Sequence, residues 1–230
     1  MSDGMDFAAR IAEDKAIRTN LDRIGKKILI MSGKGGVGKT TVTINLANAL
    51  VDSGKRVGIL DTDLHGPNVA KMLGYEDGIL LSENEGKTFH PVEARPNLLV
   101  MSLAFAIKDP NSPIVWRGPM KTGAIRQFLA QAEWGTLDYL LIDSPPGTGD
   151  EQLTVVQTIR ELTGTIIVTT PQEVALLDAR RSVAFSRTMG VAILGLIENM
   201  SGLFCPHCGG EIPVFGTGGG ERLAHELGVP

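Results

Sequence analysis

A glycine-rich segment with two lysines carries the clearest chemistry of this chain; its residues are Gly33, Lys34, Gly35, Gly36, Val37, Gly38, Lys39, Thr40 and Thr41. Their spacing matches the phosphate-loop pattern G-x-x-x-x-G-K-[ST], in which glycines allow backbone N–H groups to surround phosphate oxygens. Apolar spacing predicts a buried strand at residues 27–32 and a helix at 40–52, whose N-terminus adds a positive dipole end. We therefore predict a nucleotide site in which Lys39 contacts the β- and γ-phosphates and the Thr40 hydroxyl ligates Mg²⁺.

Carboxylates follow two further predicted strands. The hydrophobic run 139–143 ends at Asp143 in the Walker B manner, so we expect Asp143 to hold Mg²⁺ through water. The run 56–61 ends at Asp61, and Asp63 follows two residues later. Each carboxylate could instead belong to a turn, but an open α/β sheet binds its ligand at the carboxyl ends of its strands. The glycine-rich segment 144–150 is predicted to be a mobile loop beside the γ-phosphate.

Short apolar runs alternate with helical patterns along the chain. Strands are predicted at 27–32, 56–61, 98–102, 139–143, 165–170 and 191–198, and helices at 40–52, 121–133, 151–161 and 174–189. Runs that are apolar on both faces are typical of central parallel strands covered by helices on two sides. The predicted fold class is α/β, a doubly wound and mostly parallel sheet. We expect residues 1–25 to hold a lead-in helix at 6–24, residues 26–230 to form the phosphate-loop domain, and residues 73–96 to be a loop insert.

The composition argues against several classes of protein. With 230 residues, 43% of them hydrophobic and 21% charged, the chain can form one large soluble core. A formal charge of −4 without a Lys/Arg cluster argues against a nucleic-acid partner. No apolar run approaches the roughly 18 residues that a membrane span needs, so no membrane partner is expected. Residues 1–6 lack the features of a signal peptide, and a cytoplasmic location is predicted.

Both cysteines of the chain, Cys205 and Cys208, lie in one C-P-H-C-G-G segment. A C-x-x-C pair is ambiguous, because redox, zinc and iron–sulfur sites all use it. Pro206 and the following glycines favour a metal-binding knuckle, at residues 203–216, over a thiol pair that opens a helix. Two thiolates cannot complete a four-coordinate site, so a symmetric homodimer would have to supply four, either for zinc or for a cluster.

Lys34, directly after Gly33, distinguishes this phosphate loop from the ordinary pattern and indicates a particular group of phosphate-loop ATPases. The sequence K-G-G-V-G-K-T-T resembles the deviant Walker A group of septum-positioning, plasmid-partition and arsenite-pump ATPases, the nitrogenase iron protein and the Mrp/ApbC iron–sulfur carriers. This resemblance implies that Lys34 reaches across a homodimer to the nucleotide of the partner subunit. It also implies that Asp61 belongs to the magnesium shell, that Asp63 places the attacking water, and that residues 144–150 form the second switch.

Further segments resemble the Mrp/ApbC branch in particular: D-T-D-L-H-G-P-N at 61–68, W-R-G-P-M-K at 116–121, T-P-Q at 170–172 and E-N-M-S at 198–201. The resemblance implies an ATP-hydrolysing homodimer that holds a [4Fe–4S] cluster on Cys205 and Cys208 and passes it to apo iron–sulfur proteins. Asn199 would then hydrogen-bond the adenine edge. Zinc would fit the four thiolates equally well.

The sequence departs from that family in two ways. Some members carry a four-cysteine motif or a small domain ahead of the ATPase, and this sequence contains neither. Relatives also continue beyond the position of Pro230 with another strand and helix. The alternatives are a positioning ATPase that binds membrane or DNA, a reductase like the nitrogenase iron protein, and a non-enzymatic, zinc-bridged dimer that binds nucleotide. The cysteines of the nitrogenase iron protein are far apart in sequence, unlike those of this chain.

Overall fold

The computed structural model describes residues 2–63, 68–75, 81–83, 88–102, 105 and 118–230. Its helices are α1 (Ser2–Leu21), α2 (Lys39–Asp52), α3 (Asn68–Met72), α4 (Gly118–Gln131), α5 (Asp150–Thr158), α6 (Glu173–Thr188) and α7 (Gly219–Leu227). Its strands are β1 (Ile24–Met31), β2 (Val57–Asp61), β3 (Leu81–Glu83), β4 (Thr88–His90), β5 (Val92–Arg95), β6 (Leu98–Ser102), β7 (Leu137–Asp143), β8 (Gly164–Thr169) and β9 (Ile193–Glu198).

Seven of these strands form one sheet in the order β5-β6-β2-β7-β1-β8-β9. All neighbouring pairs are parallel except β5 with β6. The five residues of β2 are all buried, as expected for a strand that is covered on both faces. The predicted α/β class with a mostly parallel sheet is therefore confirmed.

The two faces of the sheet carry separate parts of the core, and β1 contributes to both. Leu29 and Met31 point into a cluster with residues of α1, α4 and α5, whereas Ile28 and Ile30 point into a cluster with residues of α2 and α3. Successive side chains of a strand alternate between faces, so a continuous apolar run packs against helices on both sides. A third cluster joins Ile167 of β8 to α6 and α7.

The six predicted strands and four predicted helices of the main domain are present; the strand at 98–102 has the predicted bounds, and no end of the others shifts by more than three residues. The lead-in helix predicted at 6–24 ends at Leu21, because Ile24 already begins β1 and pairs with Leu137. The loop insert predicted at 73–96 is wrong in part: β3 and β4 form an antiparallel pair, and β5 extends the main sheet. Helices α3 and α7 were not predicted. Residues 64–67 and 116–117 of the family segments lie outside the described residues.

Candidate nucleotide and metal site

Three neighbouring strands bring the predicted nucleotide-binding residues to one edge of the sheet. Strand β7 lies between β1 and β2, and Asp143 at its end pairs in register with both Ile30 and Asp61. The glycine-rich loop 33–38 leaves β1 at the same edge and leads into α2. Because parallel strands end together, residues more than a hundred positions apart in sequence become neighbours here.

The conformation of the loop requires glycine at particular positions. Gly36 has φ 78° and Gly38 has φ 84°, in the left-handed region that is costly for residues with a Cβ. Gly38 directly precedes the first turn of α2. At Gly33 the reason is space, since a Cβ there would lie 2.2 Å from the carbonyl oxygen of Asp178 in α6. The loop is therefore held between its own helix and α6.

Asp143 is the centre of a buried polar cluster. Its Oδ1 accepts hydrogen bonds from Lys39 Nζ at 2.7 Å and from Thr43 Oγ1 at 2.8 Å, and its Oδ2 accepts one from Thr40 Oγ1 at 2.7 Å. The Lys39 and Asp143 side chains are 7% and 1% exposed. The ammonium and two hydroxyls thus compensate a carboxylate that would otherwise be costly to bury. Thr40, the predicted magnesium ligand, is thus in direct contact with Asp143, which is predicted to hold Mg²⁺ through water.

Asp61 is a second buried carboxyl group beside this cluster. It accepts hydrogen bonds from the Asp63 backbone N–H and from Ser102 Oγ, each at 3.0 Å. Burial, and then the negative charge of Asp143, raise the pKa of Asp61 to about 8. Asp63, whose backbone N–H bonds Asp61, is half-buried. The structure therefore brings Asp61, Asp63 and Asp143 together, as the order of the strands requires.

The predicted switch segment is tied to the same edge of the sheet. Ser144 Oγ donates to the carbonyl oxygen of Ile30 at 2.9 Å, and Gly147 N–H donates to that of Ser32 at 2.7 Å. Gln152 in the first turn of α5 donates to the Pro145 carbonyl and accepts from Gly149 N–H at 3.0 Å. Displacement of this segment would therefore reach both β1 and α5.

Asn199 and Lys34 lie on either side of the loop. Asn199 Nδ2 donates to the carbonyl oxygen of Val37 at 3.0 Å, and Asn199 N–H donates to that of Thr169 at 2.8 Å. The predicted adenine contact of Asn199 stays a prediction; the contact present is with the loop itself. Lys34 is exposed and, among the described residues, makes no ion pair. The predicted contact of Lys34 across a homodimer stays a prediction.

The cysteine pair sits in a short knuckle closed by backbone hydrogen bonds. Leu203 and Ile212 exchange N–H···O bonds of 3.1 and 2.6 Å, Cys205 N–H donates to Gly210 O at 2.9 Å, and Gly209 N–H donates to Cys205 O at 2.8 Å. Both thiols are free. Backbone N–H groups of Cys208 and His207, followed by the Cys208 side chain, lower the pKa of Cys205. A thiolate stabilised in this way is the form that binds metal.

The knuckle itself presents an exposed apolar surface around the two cysteines, with Leu203 52%, Phe204 70%, Val214 58% and Phe215 43% exposed. Among the described residues, no group of three or more His, Cys, Asp or Glu side chains could hold a metal ion. The knuckle therefore offers two thiolates and an apolar rim, a composition more typical of an interface than of a solvated loop.

Glu198 anchors the segment that carries the knuckle. Its carboxylate accepts hydrogen bonds from Ser201 Oγ at 2.5 Å, from Gly218 N–H at 2.8 Å and from Gly220 N–H. Ser201 and Gly218 precede and follow the knuckle, and Gly220 lies in the first turn of α7. Since Asn199 is the next residue in sequence, the base of the knuckle is one residue away from a contact with the phosphate loop.

Comparison with known proteins identifies the family. A family model described as ParA, the NUBPL iron-transfer P-loop NTPases, matches residues 23–230. The chain belongs to this family. It is 52% identical over 217 residues to an iron–sulfur cluster carrier protein of Methanocaldococcus jannaschii, which covers 94% of this chain and 74% of the relative. It is 48% identical over 212 residues to a cytosolic Fe-S cluster assembly factor, the Nubp2 homolog of Drosophila pseudoobscura pseudoobscura, covering 91% of this chain and 82% of that protein.

Solved structures agree with the family. A nucleotide-binding protein of Archaeoglobus fulgidus, solved in complex with ADP and with cobalt, is 39% identical with a TM-score of 0.81, covering 94% of this chain and 84% of the other. The cell division ATPase MinD of Pyrococcus furiosus is 26% identical with a TM-score of 0.59, covering 90% and 81%. Nucleotide hydrolysis is thus the general activity of the family to which this chain belongs.

The iron-transfer NTPase fold also places residues in the site that the sequence did not single out. Thr43 lies one helical turn after Lys39 and bonds Asp143, and Ser102 at the end of β6 bonds Asp61. Ser102 could have been predicted from the sequence. It is a polar residue at the end of a predicted strand, and such residues lie at the carboxyl edge of the sheet, where the ligand binds. Glu198 was noted only as part of the E-N-M-S segment, and its anchoring role carried no signal, since Gly218 and Gly220 are twenty or more residues away in sequence.

Proposed function

We propose that this chain is an ATP-hydrolysing carrier that assembles a [4Fe–4S] cluster as a homodimer and passes it to apo iron–sulfur proteins. The observation that carries the proposal is the knuckle of Cys205 and Cys208, which is joined through Glu198 and Asn199 to a phosphate loop. The names of the relatives, iron–sulfur cluster carrier protein and Fe-S cluster assembly factor, support the same conclusion. We further propose a cytoplasmic location and no nucleic-acid or membrane partner; no helix in the described part of the chain is long and apolar enough to cross a membrane.

The nucleotide chemistry follows from the residues at the strand ends. The glycine-rich loop and the N-terminus of α2 would hold the phosphates of ATP, and Lys39 would exchange Asp143 for phosphate oxygens. A hydroxyl beside a buried carboxylate suits Mg²⁺, so Thr40 and Asp143, with Asp61 in the outer shell, would hold it. When bound, Mg²⁺ neutralises charge on the β- and γ-phosphates.

Asp63 and Lys34 complete the proposed hydrolytic machinery. Asp63 is half-buried beside Asp61, and its carboxylate would orient the attacking water and accept its proton. Lys34 of the partner subunit would place a cation against charge that develops on the transferred phosphoryl group. Hydrolysis would therefore require the dimer, whereas ATP binding through Lys39 would not.

The cluster is the cargo, and each chain would hold half of it. Two thiolates per subunit, on a symmetric dimer, give the four sulfur ligands of a [4Fe–4S] cluster. The exposed apolar rim around Phe204 would be covered in that dimer. The backbone N–H groups that stabilise the Cys205 thiolate would also stabilise the charge of a bound cluster.

Coupling between the two sites is the finer part of the proposal. A nucleotide that moves the phosphate loop would move the Val37 carbonyl and with it Asn199, which is covalently continuous with Glu198 and the knuckle. The segment 144–150, bonded to Ile30 and Ser32, provides a second element that hydrolysis would release. ATP turnover would therefore open the seam of the dimer and expose the cluster to a recipient.

Anaerobic reconstitution tests the proposal. The protein is incubated with iron and sulfide, desalted, and mixed with an apo-ferredoxin in the presence of ATP or a non-hydrolysable analogue. We expect about two irons per chain, a dimer by light scattering, and faster transfer with ATP. The Cys205→Ser variant should hold no cluster yet bind ATP. A wild-type monomer that holds a complete cluster, or transfer that is unaffected by Cys205→Ser, would refute the mechanism.

The alternative with zinc is distinguished by the same sample. A zinc-bridged dimer would contain about half a zinc per chain and would transfer no iron.

A positioning ATPase is less favoured, because the structural similarity to the cell division ATPase, with a TM-score of 0.59, is weaker than that to the nucleotide-binding protein, with a TM-score of 0.81.

A further inference from the structure

A groove of about 820 Å³ lies between α1, α4 and α5, at the opposite edge of the sheet from the nucleotide. Its floor is reached by Lys27 near the start of β1, whereas the phosphate loop follows the end of that strand. At about 3.3 Å per residue, the two sites are separated by more than 10 Å along β1. The groove is therefore distinct from the site described above.

The charge of the groove is opposite to that of the whole chain. Of the described residues that line it, three are acidic and six are basic, the latter being Arg10, Lys15, Arg18, Lys27, Arg126 and Arg160. The formal charge of the chain is −4. Arg126 is compensated by Glu13 and Asp14, but the other five basic residues make no ion pair among the described residues. A concentration of positive charge on an acidic protein attracts anions.

Lys27 is the decisive residue, because it is only 5% exposed. Its Nζ donates one hydrogen bond, to the carbonyl oxygen of Leu21 at 3.1 Å, and it has no carboxylate partner among the described residues. This contact caps the C-terminus of α1 and accounts for one of the three N–H donors of the ammonium. A buried charge is costly unless it is paired, so the two other N–H donors of the Lys27 ammonium favour the binding of an oxyanion.

We infer that the groove between α1, α4 and α5 binds a small organic or inorganic polyanion, with one oxyanion group on Lys27 and a second between Arg18 and Arg160. The volume lies within the range of small-molecule sites, roughly 300–1,000 Å³. Apolar side chains, such as the 54% exposed Ile11, line the same groove and would contact the body of the ligand. The separated cations on α1 and on the turn before β8 favour a ligand with at least two anionic groups.

Pyrophosphate is a suitable probe, because it carries two linked oxyanions. Melting temperatures of the full chain are measured in EDTA with pyrophosphate and with sodium chloride of equal ionic strength. Any binding of this probe to the phosphate loop is common to the wild type and to Lys27→Met and therefore cancels. Lys26→Met is the matched control, since Lys26 is the exposed neighbour of Lys27 and does not line the groove.

At about 100 times the dissociation constant, we expect pyrophosphate to raise the melting temperature of the wild type and of Lys26→Met by about 5 °C more than that of Lys27→Met. Without the anion, Lys27→Met should be as stable as the wild type or more stable, because an unpaired buried charge is removed. Arg160→Gln, a change at an exposed position, should fold normally and weaken pyrophosphate binding about tenfold by calorimetry.

Equal shifts for Lys27→Met and the wild type would overturn the inference and leave Lys27 as a helix cap. If Lys27→Met does not fold, an unchanged affinity of Arg160→Gln would overturn it as well. A hexaglutamate peptide that binds through Lys27 where pyrophosphate does not would identify an acidic protein segment instead, and the small-polyanion assignment would be wrong.

Discussion

Replacing Asp61 by asparagine is expected to stabilise the magnesium-free protein at neutral pH, although Asp61 is a predicted member of the magnesium shell. The carboxyl group is fully buried, and its pKa is raised from 3.8 to about 8. Between these values the folded protein retains a proton that the unfolded chain releases. The free energy of unfolding therefore falls as the pH rises through this window, by at most ~1.4 kcal/mol per pH unit.

The size of the effect can be worked out for an accessible pH range. From pH 5 to pH 7 the loss is at most ~2.7 kcal/mol, and we expect about 2.6 kcal/mol, because the carboxyl is mostly ionised in the unfolded chain and mostly protonated in the folded one across this range. The substituted amide would be neutral at every pH, so Asp61→Asn should lack this loss. That amide can still accept from Asp63 N–H and donate to Ser102 Oγ, the two groups that now bond the carboxyl.

Urea unfolding in EDTA at pH 5, 6, 7 and 8 measures the difference. Asp63→Asn is the matched control, because Asp63 is only half-buried and should keep the pH dependence of the wild type. Other titrating groups are common to all three proteins and cancel in the comparison. The reasoning is refuted if Asp61→Asn loses as much stability between pH 5 and pH 7 as the wild type does.

Four further substitutions test the proposed sites. Lys39→Ala should abolish ATP hydrolysis and weaken ATP binding at least about tenfold by calorimetry, since the phosphates would face backbone dipoles alone; unchanged turnover would remove Lys39 from the site. Lys34→Ala and Asp63→Asn should each bind ATP but lose turnover about a hundredfold or more in a phosphate-release assay, and a wild-type rate in either would refute its role. Asn199→Ala should leave cluster content unchanged while removing the ATP dependence of transfer, which a stopped-flow transfer assay would detect; transfer that still responds to ATP would break the proposed link to Val37.

The phosphate loop could be predicted from the sequence because its information is local. Strand, glycines, Lys39 and helix lie within one short stretch, and Gly38, with φ 84°, stands where the pattern specifies glycine. Asp61 and Asp143 were predictable for a related reason, since each ends a strand that is apolar on both faces. That the two carboxylates lie side by side could be predicted from the rule that parallel strands end at one edge of the sheet.

Helix α7 was missed because close packing overrides propensity there. It begins with Gly219 and Gly220, residues that disfavour helix. A Cβ at Gly219 would lie 2.6 Å from the Pro171 carbonyl oxygen, and one at Gly220 would lie 2.9 Å from Glu198 Cβ. The glycines are there for the approach of α7 to β9 and to residue 171, which no single-sequence pattern records. Strands β3, β4 and β5 were missed for another reason, since strands of three or four residues are too short for a periodicity.

The position of Glu198 explains why one chain can combine nucleotide hydrolysis with a cysteine knuckle. A loop of about twenty residues between β9 and α7 would move independently of the sheet unless its two ends were held together. The Glu198 carboxylate holds both, through Ser201 on one side and Gly218 and Gly220 on the other. Because the next residue, Asn199, is bonded to the Val37 carbonyl of the phosphate loop, a shift of that loop would reach the base of the knuckle through a single peptide unit. The proposed coupling of ATP turnover to cluster transfer therefore requires no long pathway through the core, but only that the phosphate loop differ between its nucleotide states.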